Sequence, residues 1–383
     1  MPRHRQRGSA GQSRRSVSPA SVLSRLIQAL AALVMMVTFA AGCGSGGADT
    51  GAAPTLRLGY FANLTHAAPI VGVDKGFFST ALATTATQGA TATQGATALE
   101  TQIFDAGPAT VEALFAGAVD AAYIGPNPAI NAFGQSNGEA IRIIAGATSG
   151  GAQLVVRDTI NNAQDLRGRT LATPQLGNTQ DVALRAWLTG QGLRNSVQGG
   201  GDVTISPTTN ADTLQLFRDG RLDGAWVPEP WASRLVQEAG AKVLVDERDL
   251  WPEGKFVTTH LVVRTEFLTQ HPERVEALLR GHVDTVTWLA EHPDEGKTVV
   301  NEGLQTRTGK PLAPEVLDRA WQNLTVTLDP IAMSLQRSAD DAVTAGTAKQ
   351  KVDLNGIYEL SILNRILTER GLPTVPSAGL GKE

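Results

Sequence analysis

The chain contains two copies of one pattern, about 100 residues apart. Residues 114–128 read LFAGAVDAAYIGPNP, and residues 216–230 read LFRDGRLDGAWVPEP. Each copy is typical of a helix that ends at a glycine, a short strand, and a turn whose prolines begin the next helix. The repetition therefore predicts two lobes that are built on the same α/β plan.

Short apolar segments alternate with stretches of helical pattern along the body of the chain. We predict strands at 56–60, 141–145, 154–157, 243–245 and 261–264, and helices at 181–191 and 212–218. This alternation predicts a mainly parallel sheet with helices on its faces. From Thr265 onward apolar residues recur at helical spacing, which predicts a helical C-terminal part. A length of 383 residues, 42% of them hydrophobic, is sufficient for two domains.

The first 42 residues differ in composition from the rest of the chain. They carry six arginines and no acidic residue, and an apolar run of 17 residues extends from Leu26 to Gly42. This order is typical of an export signal, because the run is shorter than the roughly 20 residues that span a bilayer. An uncleaved signal-anchor helix is the alternative, and the Arg14-Arg15 pair leaves twin-arginine export open beside the general route.

Cys43 is the only cysteine and directly follows the apolar run. Its position resembles a bacterial lipobox, in which the cysteine is acylated and becomes the mature N-terminus, although Ala40 stands where leucine is usual. A single cysteine excludes an internal disulfide and a cysteine-rich zinc site. We therefore expect a lipoprotein signal peptide at 1–42, lipidation of Cys43 and a flexible tether at 43–54, which together anchor the protein outside the cytoplasm on the bacterial cell membrane.

Charge and motifs exclude several classes of function. Beyond residue 42 the formal net charge is −10, so the chain has no overall basic character with which to bind nucleic acid. The sequence contains no H-E-x-x-H metal motif, no G-x-S-x-G elbow and no phosphate-binding P-loop. We expect no catalytic residue, no metal and no cofactor.

The two Pro-x-Pro turns follow predicted strands, and open α/β sheets bind ligands at the carboxyl ends of their strands. Asn127 and Glu229 occupy the middle of these turns, and we expect them to face each other across a cleft. In the loop from Gly177 to Thr179, Asn178 precedes a helix, so free backbone N–H groups could bind an anion there. A plain helix cap is the alternative for this loop.

Other candidate residues lie in loops that follow strands. The loop after the first strand offers donors at a helix entrance, although a structural role is the alternative for its histidine. Because the candidate loops contain neither arginine nor lysine, we expect an oxyanion held by backbone N–H groups and short polar side chains. The predicted ligand-binding residues are Asn63, Thr65, His66, Asn127, Thr148, Ser149, Gly177, Asn178, Thr179, Glu229 and Trp231.

Several segments together resemble the solute-binding proteins of ABC importers in the nitrate/taurine/aliphatic-sulfonate group, which have the type II periplasmic-binding-protein fold. The segments are LRLGYFANLTHAAPIVGVDKGFF (56–78), FDAGPATVEALFAGAVDAAYIGPNPAI (104–130), IIAGATSGGAQLVVR (143–157), ATPQLGNTQDVALRAWL (172–188) and GAWVPEPWASRL (224–235). The resemblance implies two lobes that close over a ligand about a two-stranded hinge. One lobe would comprise 55–148 and 261–383, and the other 149–260, with strands 154–157 and 261–264 marking the crossings.

The resemblance also implies a ligand and partners. It implies a monomer that captures a small organic anion, an aliphatic sulfonate or taurine, and delivers it to an ABC permease and, through it, to an ATPase. Nitrate or a thiamine precursor is the alternative within the group, and a ligand-sensing lipoprotein or a cofactor-biosynthesis enzyme is the alternative outside it.

The sequence departs from the group in two places. Glu229 stands where sulfonate binders often carry aspartate, and a carboxylate near the cleft would suit taurine, which carries both charges. The duplicated hexapeptide ATQGAT at 86–97 lengthens the loop before the second strand, and we expect one copy to be dispensable.

Overall fold

The computed structural model describes residues 54–84 and 96–383. The predicted signal peptide, the lipidation site, nearly all of the tether and most of the duplicated hexapeptide lie outside these residues. Within the described part of the chain, no helix combines the length and the apolar character needed to cross a membrane.

The described strands form two separate sheets. In chain order they are β1 (Thr55–Phe61), β2 (Ala98–Phe104), β3 (Ala121–Ile124), β4 (Ile141–Gly150), β5 (Ala152–Val156), β6 (Thr170–Thr173), β7 (Thr204–Pro207), β8 (Gly224–Pro228), β9 (Lys242–Asp246), β10 (Val257–Arg264), β11 (Leu324–Val326), β12 (Tyr358–Glu359) and β13 (Gly381–Lys382). The first sheet has the order β13-β12-β4-β10-β3-β1-β2, with β11 also paired to β4, and the second has the order β7-β6-β8-β5-β9.

Helices connect the strands and cover both sheets. In chain order they are α1 (Ala67–Asp74), α2 (Phe77–Ala83), α3 (Gly107–Phe115), α4 (Pro126–Gln135), α5 (Thr179–Gly190), α6 (Asn210–Arg218), α7 (Trp231–Ala239), α8 (Thr265–Gln270), α9 (Pro272–Glu291), α10 (Pro293–Thr308), α11 (Pro314–Trp321), α12 (Ala332–Thr344) and α13 (Ser361–Glu369). Each copy of the sequence repeat supplies the end of one helix and one strand. The first copy also contains the start of α4, whereas the second ends at Pro230, directly before α7, and the two copies lie in different sheets. The predicted two-lobed α/β fold is confirmed.

Each sheet has its own hydrophobic core. In the second sheet, successive residues of β5 point to opposite faces, as the pleat of a strand requires. Leu154 packs with Trp226 on one face, whereas Val155 packs with Phe217 on the other. The two lobes are therefore separate packing units joined by short connections.

The chain changes sheets twice. The first change falls at Gly150–Gly151, where both residues have φ of 76°, a left-handed conformation that favours glycine. The second falls between the end of β9 at Asp246 and the start of β10 at Val257. These positions lie within a few residues of the expected lobe boundaries, although the strands 154–157 and 261–264 follow the crossings and do not form them.

Both sheets are mixed, which corrects the expectation of mainly parallel strands. β5 runs antiparallel to β8 and β9, and β10 runs antiparallel to β3 and β4. The physical reason is the hinge. The hinge lies at the side of each sheet where the neighbouring strands have their carboxyl ends. β5 and β10 enter their sheets from that side, so each runs antiparallel to its neighbours.

The C-terminal part connects the two lobes a third time, without a covalent crossing. Helix α11 packs against α7 of the second lobe, while β11, which follows it, pairs with β4 of the first sheet. Helix α12 likewise packs against α5. Contacts between the lobes are therefore made largely by residues that lie far from the hinge in sequence.

Candidate functional site

The carboxyl ends of four strands meet at a cleft between the two sheets. The residues at or directly after these ends that line the cleft are Phe61, Gly125, Pro174 and Pro228, from β1, β3, β6 and β8 respectively. Helices begin shortly after each of these strands, so helix N-termini with unpaired backbone N–H groups gather around the cleft. Such termini supply positive potential without a cationic side chain.

The cleft has two connected parts, which we call the inner pocket and the outer cleft. The inner pocket has a volume of about 20 Å³ and is lined mainly by short polar side chains. The outer cleft has a volume of about 600 Å³. The residues that line both parts are Phe61, Asn63, Asp105 and Asn210. In this closed arrangement the inner pocket has room for about one water molecule, so a ligand must displace its walls slightly or extend outward.

Asn63 and Trp231 link the lobes across the cleft. The indole Nε1 of Trp231 donates a hydrogen bond of 2.9 Å to Oδ1 of Asn63. Asn63 precedes the short 3-10 turn Leu64–His66 in the first lobe, and Trp231 begins α7 in the second. Both residues were predicted at the site, and their mutual bond holds the lobes together where the inner pocket meets the outer cleft.

His66 lines the inner pocket as an uncharged side chain. Its Nδ1 accepts a hydrogen bond of 3.2 Å from the backbone N–H of Phe61, so its proton is carried by Nε2. Burial lowers the pKa of the His66 imidazole to about 3, and the ring is neutral at physiological pH. Beside it, the Thr65 carbonyl accepts from the hydroxyls of Thr148 and Thr259. His66 can therefore donate to an anion but adds no positive charge.

The start of α5 forms the opposite wall of the inner pocket. Asn178 caps the helix, since its Oδ1 accepts a bond of 3.1 Å from the Gln180 N–H. Asn178 and Thr179 nevertheless both line the pocket, so capping and a ligand-facing position are compatible. Behind them Asp181 accepts from the Gly177 N–H and pairs with the buried Arg185 at 3.0 Å. This pair neutralises an acid that would otherwise repel an anion.

Five predicted residues do not line either part of the cleft: Asn127, Thr148, Ser149, Gly177 and Glu229. Asn127 donates from Nδ2 to the carbonyl of Ser338 at 3.0 Å, and Thr148 is bonded to Thr65. The expectation that Asn127 and Glu229 face each other across the cleft is therefore wrong. In the second turn it is Pro228 and Pro230 that line the cavity, while the side chain between them bonds elsewhere.

Glu229 is a structural link between the lobes. Its carboxylate is fully buried and accepts bonds from the N–H and hydroxyl of Ser233, from Asn323 at 2.6 Å and from Arg319 at 3.2 Å. Arg319 also donates to Gln153 of β5 at 2.7 Å. Burial raises the pKa of Glu229 above its usual value, opposed by its bonds to Asn323 and Ser233 and by the nearby charge of Arg319. Because donors of the protein already surround both carboxylate oxygens of Glu229, this side chain is not expected to bind the amine of a ligand.

Sequence reasoning missed two residues that line both parts of the cleft. Asn210 is 9% exposed, and its Oδ1 has no hydrogen-bond partner among the described residues. Asp105 follows β2, is exposed, and has no described partner for its carboxylate. A signal for Asn210 was present, because Thr209-Asn210 follows a strand and begins a helix in the same way as Asn178-Thr179 does.

The family of the chain follows from comparison with known proteins. A model of the NMT1-like family matches residues 49–301, more than half of the chain. The chain belongs to the NMT1-like family. The resemblance drawn from the sequence motifs is confirmed.

Relatives of this NMT1-like protein include named binding proteins. One relative is a protein of Bacillus subtilis (strain 168) that is provisionally named an aliphatic sulfonates-binding protein. It is 25% identical over 352 residues, which cover 89% of this chain and 97% of the relative. The taurine-binding periplasmic protein of Escherichia coli (strain K12) is 29% identical over 191 residues, covering 50% of this chain and 57% of the relative.

The fold is shared with a solved binding protein. The alkanesulfonate-binding protein SsuA from Xanthomonas axonopodis pv. citri, bound to MOPS, superposes with a TM-score of 0.62 at 20% identity. The superposition covers 79% of this chain and 97% of that protein.

Proposed function

We propose that this NMT1-like protein is the extracytoplasmic solute-binding component of an ABC importer and captures a small organic anion, a sulfonate or taurine, in its inner pocket. The observation that carries the proposal is the lining of that pocket. It consists mainly of helix starts and short uncharged polar residues, with Asp105 at its outer boundary, and its described residues include neither arginine nor lysine. Two relatives carry the names of binding proteins for aliphatic sulfonates and for taurine, and these names support the same ligand class.

Uncharged donors suit a sulfonate, which stays ionised over the physiological pH range and needs no proton from the protein. The starts of α5 and α6, together with Nε2 of His66, would provide N–H groups around its oxygens. Since a closed pocket is screened only weakly by salt, we expect an affinity that changes little with ionic strength.

The same residues favour binding over catalysis. The described lining of the inner pocket has no serine, cysteine or lysine, and none of its threonine hydroxyls is hydrogen-bonded to a side-chain base that could activate it as a nucleophile. His66 has its Nδ1 occupied by Phe61 and a pKa of about 3, which makes it a poor general base near pH 7. We therefore propose transport rather than a cofactor-biosynthesis reaction, with a membrane permease and its ATPase as partners.

Replacing Thr179 with alanine should weaken ligand binding about 10- to 150-fold, because a hydrogen bond to a charged group contributes roughly 1.5–3 kcal/mol. Asn178→Ala should also weaken binding, since it disturbs the start of the same helix. Calorimetry with taurine and a series of alkanesulfonates measures both effects. Thr189→Ala is the matched control, because that hydroxyl bonds to the Arg185 carbonyl at the far end of α5. Parental affinity in both Thr179→Ala and Asn178→Ala would contradict the proposed site.

We also propose that Cys43 is the lipid anchor that retains the protein at the outer face of the cell membrane. Cys43→Ser should block lipidation, so that the protein remains an uncleaved precursor or is released. Membrane fractionation and mass spectrometry of the N-terminus distinguish the two forms. Processed Cys43→Ser protein that stays in the membrane fraction would show that another feature anchors it.

A further inference from the structure

The outer cleft is far larger than a small anion requires. Its volume of about 600 Å³ falls in the range of about 300–1,000 Å³ that is typical of sites for drug-sized molecules. Its walls are rich in apolar side chains: Ile103, Phe104, Trp231, Leu304, Pro311 and Leu312. The basic residues in its described lining are Arg234, which is paired with Glu238, and Lys310. Ile103 is 42% exposed and so offers apolar surface to a ligand in the outer cleft. This part of the cleft is therefore suited to an apolar group.

The junction between the two parts carries acceptors that lack donors. Asn210 lines both parts, and its Oδ1 is buried without a partner among the described residues. Asp105 also lines both parts, and no described residue donates to its carboxylate or forms an ion pair with it. Since buried polar groups in proteins nearly always have a partner, a ligand that lies here should supply a donor to Asn210. Asp105 is exposed and adds a negative charge beside it. A protonated amine both donates and carries the charge opposite to that of Asp105.

The cleft thus presents three chemical environments, one after another from the inner pocket outward. Donors line the inner pocket, acceptors lie at the junction, and apolar side chains surround the outer cleft. We propose that the protein selects aminosulfonates whose nitrogen carries an apolar substituent: the sulfonate occupies the inner pocket, the ammonium lies at Asp105 and Asn210, and the substituent fills the outer cleft. This inference rests on the proposed function, because it places the sulfonate in the same inner pocket.

Taurine satisfies only the first two environments, since it leaves the outer cleft empty. Nitrate and bicarbonate satisfy only the first. N-cyclohexyltaurine differs from taurine by one cyclohexyl group, so the pair isolates the contribution of the outer cleft. Each buried methylene adds roughly a fourfold gain in affinity, and a partly buried ring should add about 30-fold.

Calorimetry on the full-length protein in detergent tests the proposal with three probes: taurine, N-cyclohexyltaurine and hexanesulfonate, which has an apolar tail but no nitrogen. We expect N-cyclohexyltaurine to bind most tightly, about 30-fold more tightly than taurine. Taurine binding as tight as, or tighter than, that of N-cyclohexyltaurine would overturn the inference and leave the proposed function intact. Failure of all three probes to bind would overturn the proposed function itself.

Two variants localise the selectivity. Ala211, near the start of α6, lines the outer cleft and is exposed, so Ala211→Phe should fill that space and reduce the preference for N-cyclohexyltaurine over taurine at least about 10-fold. Asp105→Asn should reduce the preference for N-cyclohexyltaurine over hexanesulfonate to a similar degree, because it removes the charge that attracts the ammonium.

Matched controls use exposed residues that do not line the cleft. Ala116→Phe and Asp249→Asn should keep the parental preferences, and thermal unfolding of each variant verifies that it is folded. Unaltered preferences in Ala211→Phe would show that the apolar substituent lies elsewhere. If Asp105→Asn keeps the parental ratio of affinities for N-cyclohexyltaurine and hexanesulfonate, the nitrogen is not recognised at the junction. Either result overturns the assignment of that environment.

Discussion

Gly125→Ala should reduce ligand affinity about 5- to 150-fold while leaving the free energy of unfolding nearly unchanged. A Cβ atom at Gly125 would lie 2.3 Å from Oγ1 of Thr179 and 3.4 Å from its Cβ. Gly125 belongs to the first lobe and Thr179 to the second, so the clash exists only when the lobes are closed. Overpacking of this kind costs about 1–3 kcal/mol or more, and the protein avoids the cost by remaining open.

The conformation of Gly125 itself permits the substitution. Its φ of −74° is accessible to any residue, and the nearest first-lobe atom among its close neighbours, the Thr258 carbonyl oxygen, would be at an ordinary 3.5 Å. If Thr179 instead rotates to avoid the new methyl group, its hydroxyl is displaced from the inner pocket. Both responses weaken the same site.

Calorimetry and small-angle scattering together measure this effect. In the parent, ligand should reduce the radius of gyration as the lobes close, whereas Gly125→Ala should show little change. Gly190→Ala is the control, because a Cβ at Gly190, at the end of α5, meets nothing within 4 Å. Parental affinity and parental compaction in Gly125→Ala would contradict closure by direct contact between the lobes.

Arg319→Met should lower the melting temperature by about 5 °C near pH 8. Arg319 is the cation that faces the fully buried carboxylate of Glu229, at 3.2 Å. Removing one partner of a buried ion pair costs about 3–5 kcal/mol, because the remaining charge has no compensation. The bonds from Asn323 and Ser233 to the carboxylate remain but carry no full positive charge.

The effect of Arg319→Met should depend on pH, with a definite sign. Burial already raises the pKa of Glu229, and loss of Arg319 raises it further. When the folded pKa of a carboxyl group exceeds its unfolded value, stability is highest in acid and falls as pH rises from the unfolded pKa through the folded one. The loss in melting temperature should therefore be smaller at pH 5 than at pH 8.

Two further variants separate this cause from general damage to α11. Arg319→Met combined with Glu229→Gln should recover part of the stability at pH 8, because the amide needs no counter-charge. Lys297→Met removes the ion pair between Lys297 of α10 and Asp318 of α11. Because Asp318 is 57% exposed, the melting temperature should change by less than about 3 °C. Equal losses at both pH values, with no recovery in the double variant, would refute the buried-charge explanation.

The sequence by itself determined the two-lobed plan and much of the inner pocket. The repeat at 114–128 and 216–230, the capping residues and the alternating strand and helix patterns are local signals, and local hydrogen bonding carries them into the fold. Residues in the loops after strands lie at the cleft for the same reason: Asn63, Thr65, His66, Asn178 and Thr179 line the inner pocket, and their contact with a ligand stays a prediction. Strand ends that share a sheet edge bring such residues together whatever the rest of the chain does.

Only the tertiary structure decided where the side chains of the Pro-x-Pro turns point. Asn127 bonds to Ser338 and Glu229 bonds to Arg319, partners that lie 211 and 90 residues further along the chain. The reversed direction of β5 and β10 depends in the same way on the two crossings of the hinge. No local pattern encodes the side-chain bonds of Asn127 and Glu229. They arise only when the C-terminal helices pack across both lobes and supply donors and acceptors that the turns themselves lack.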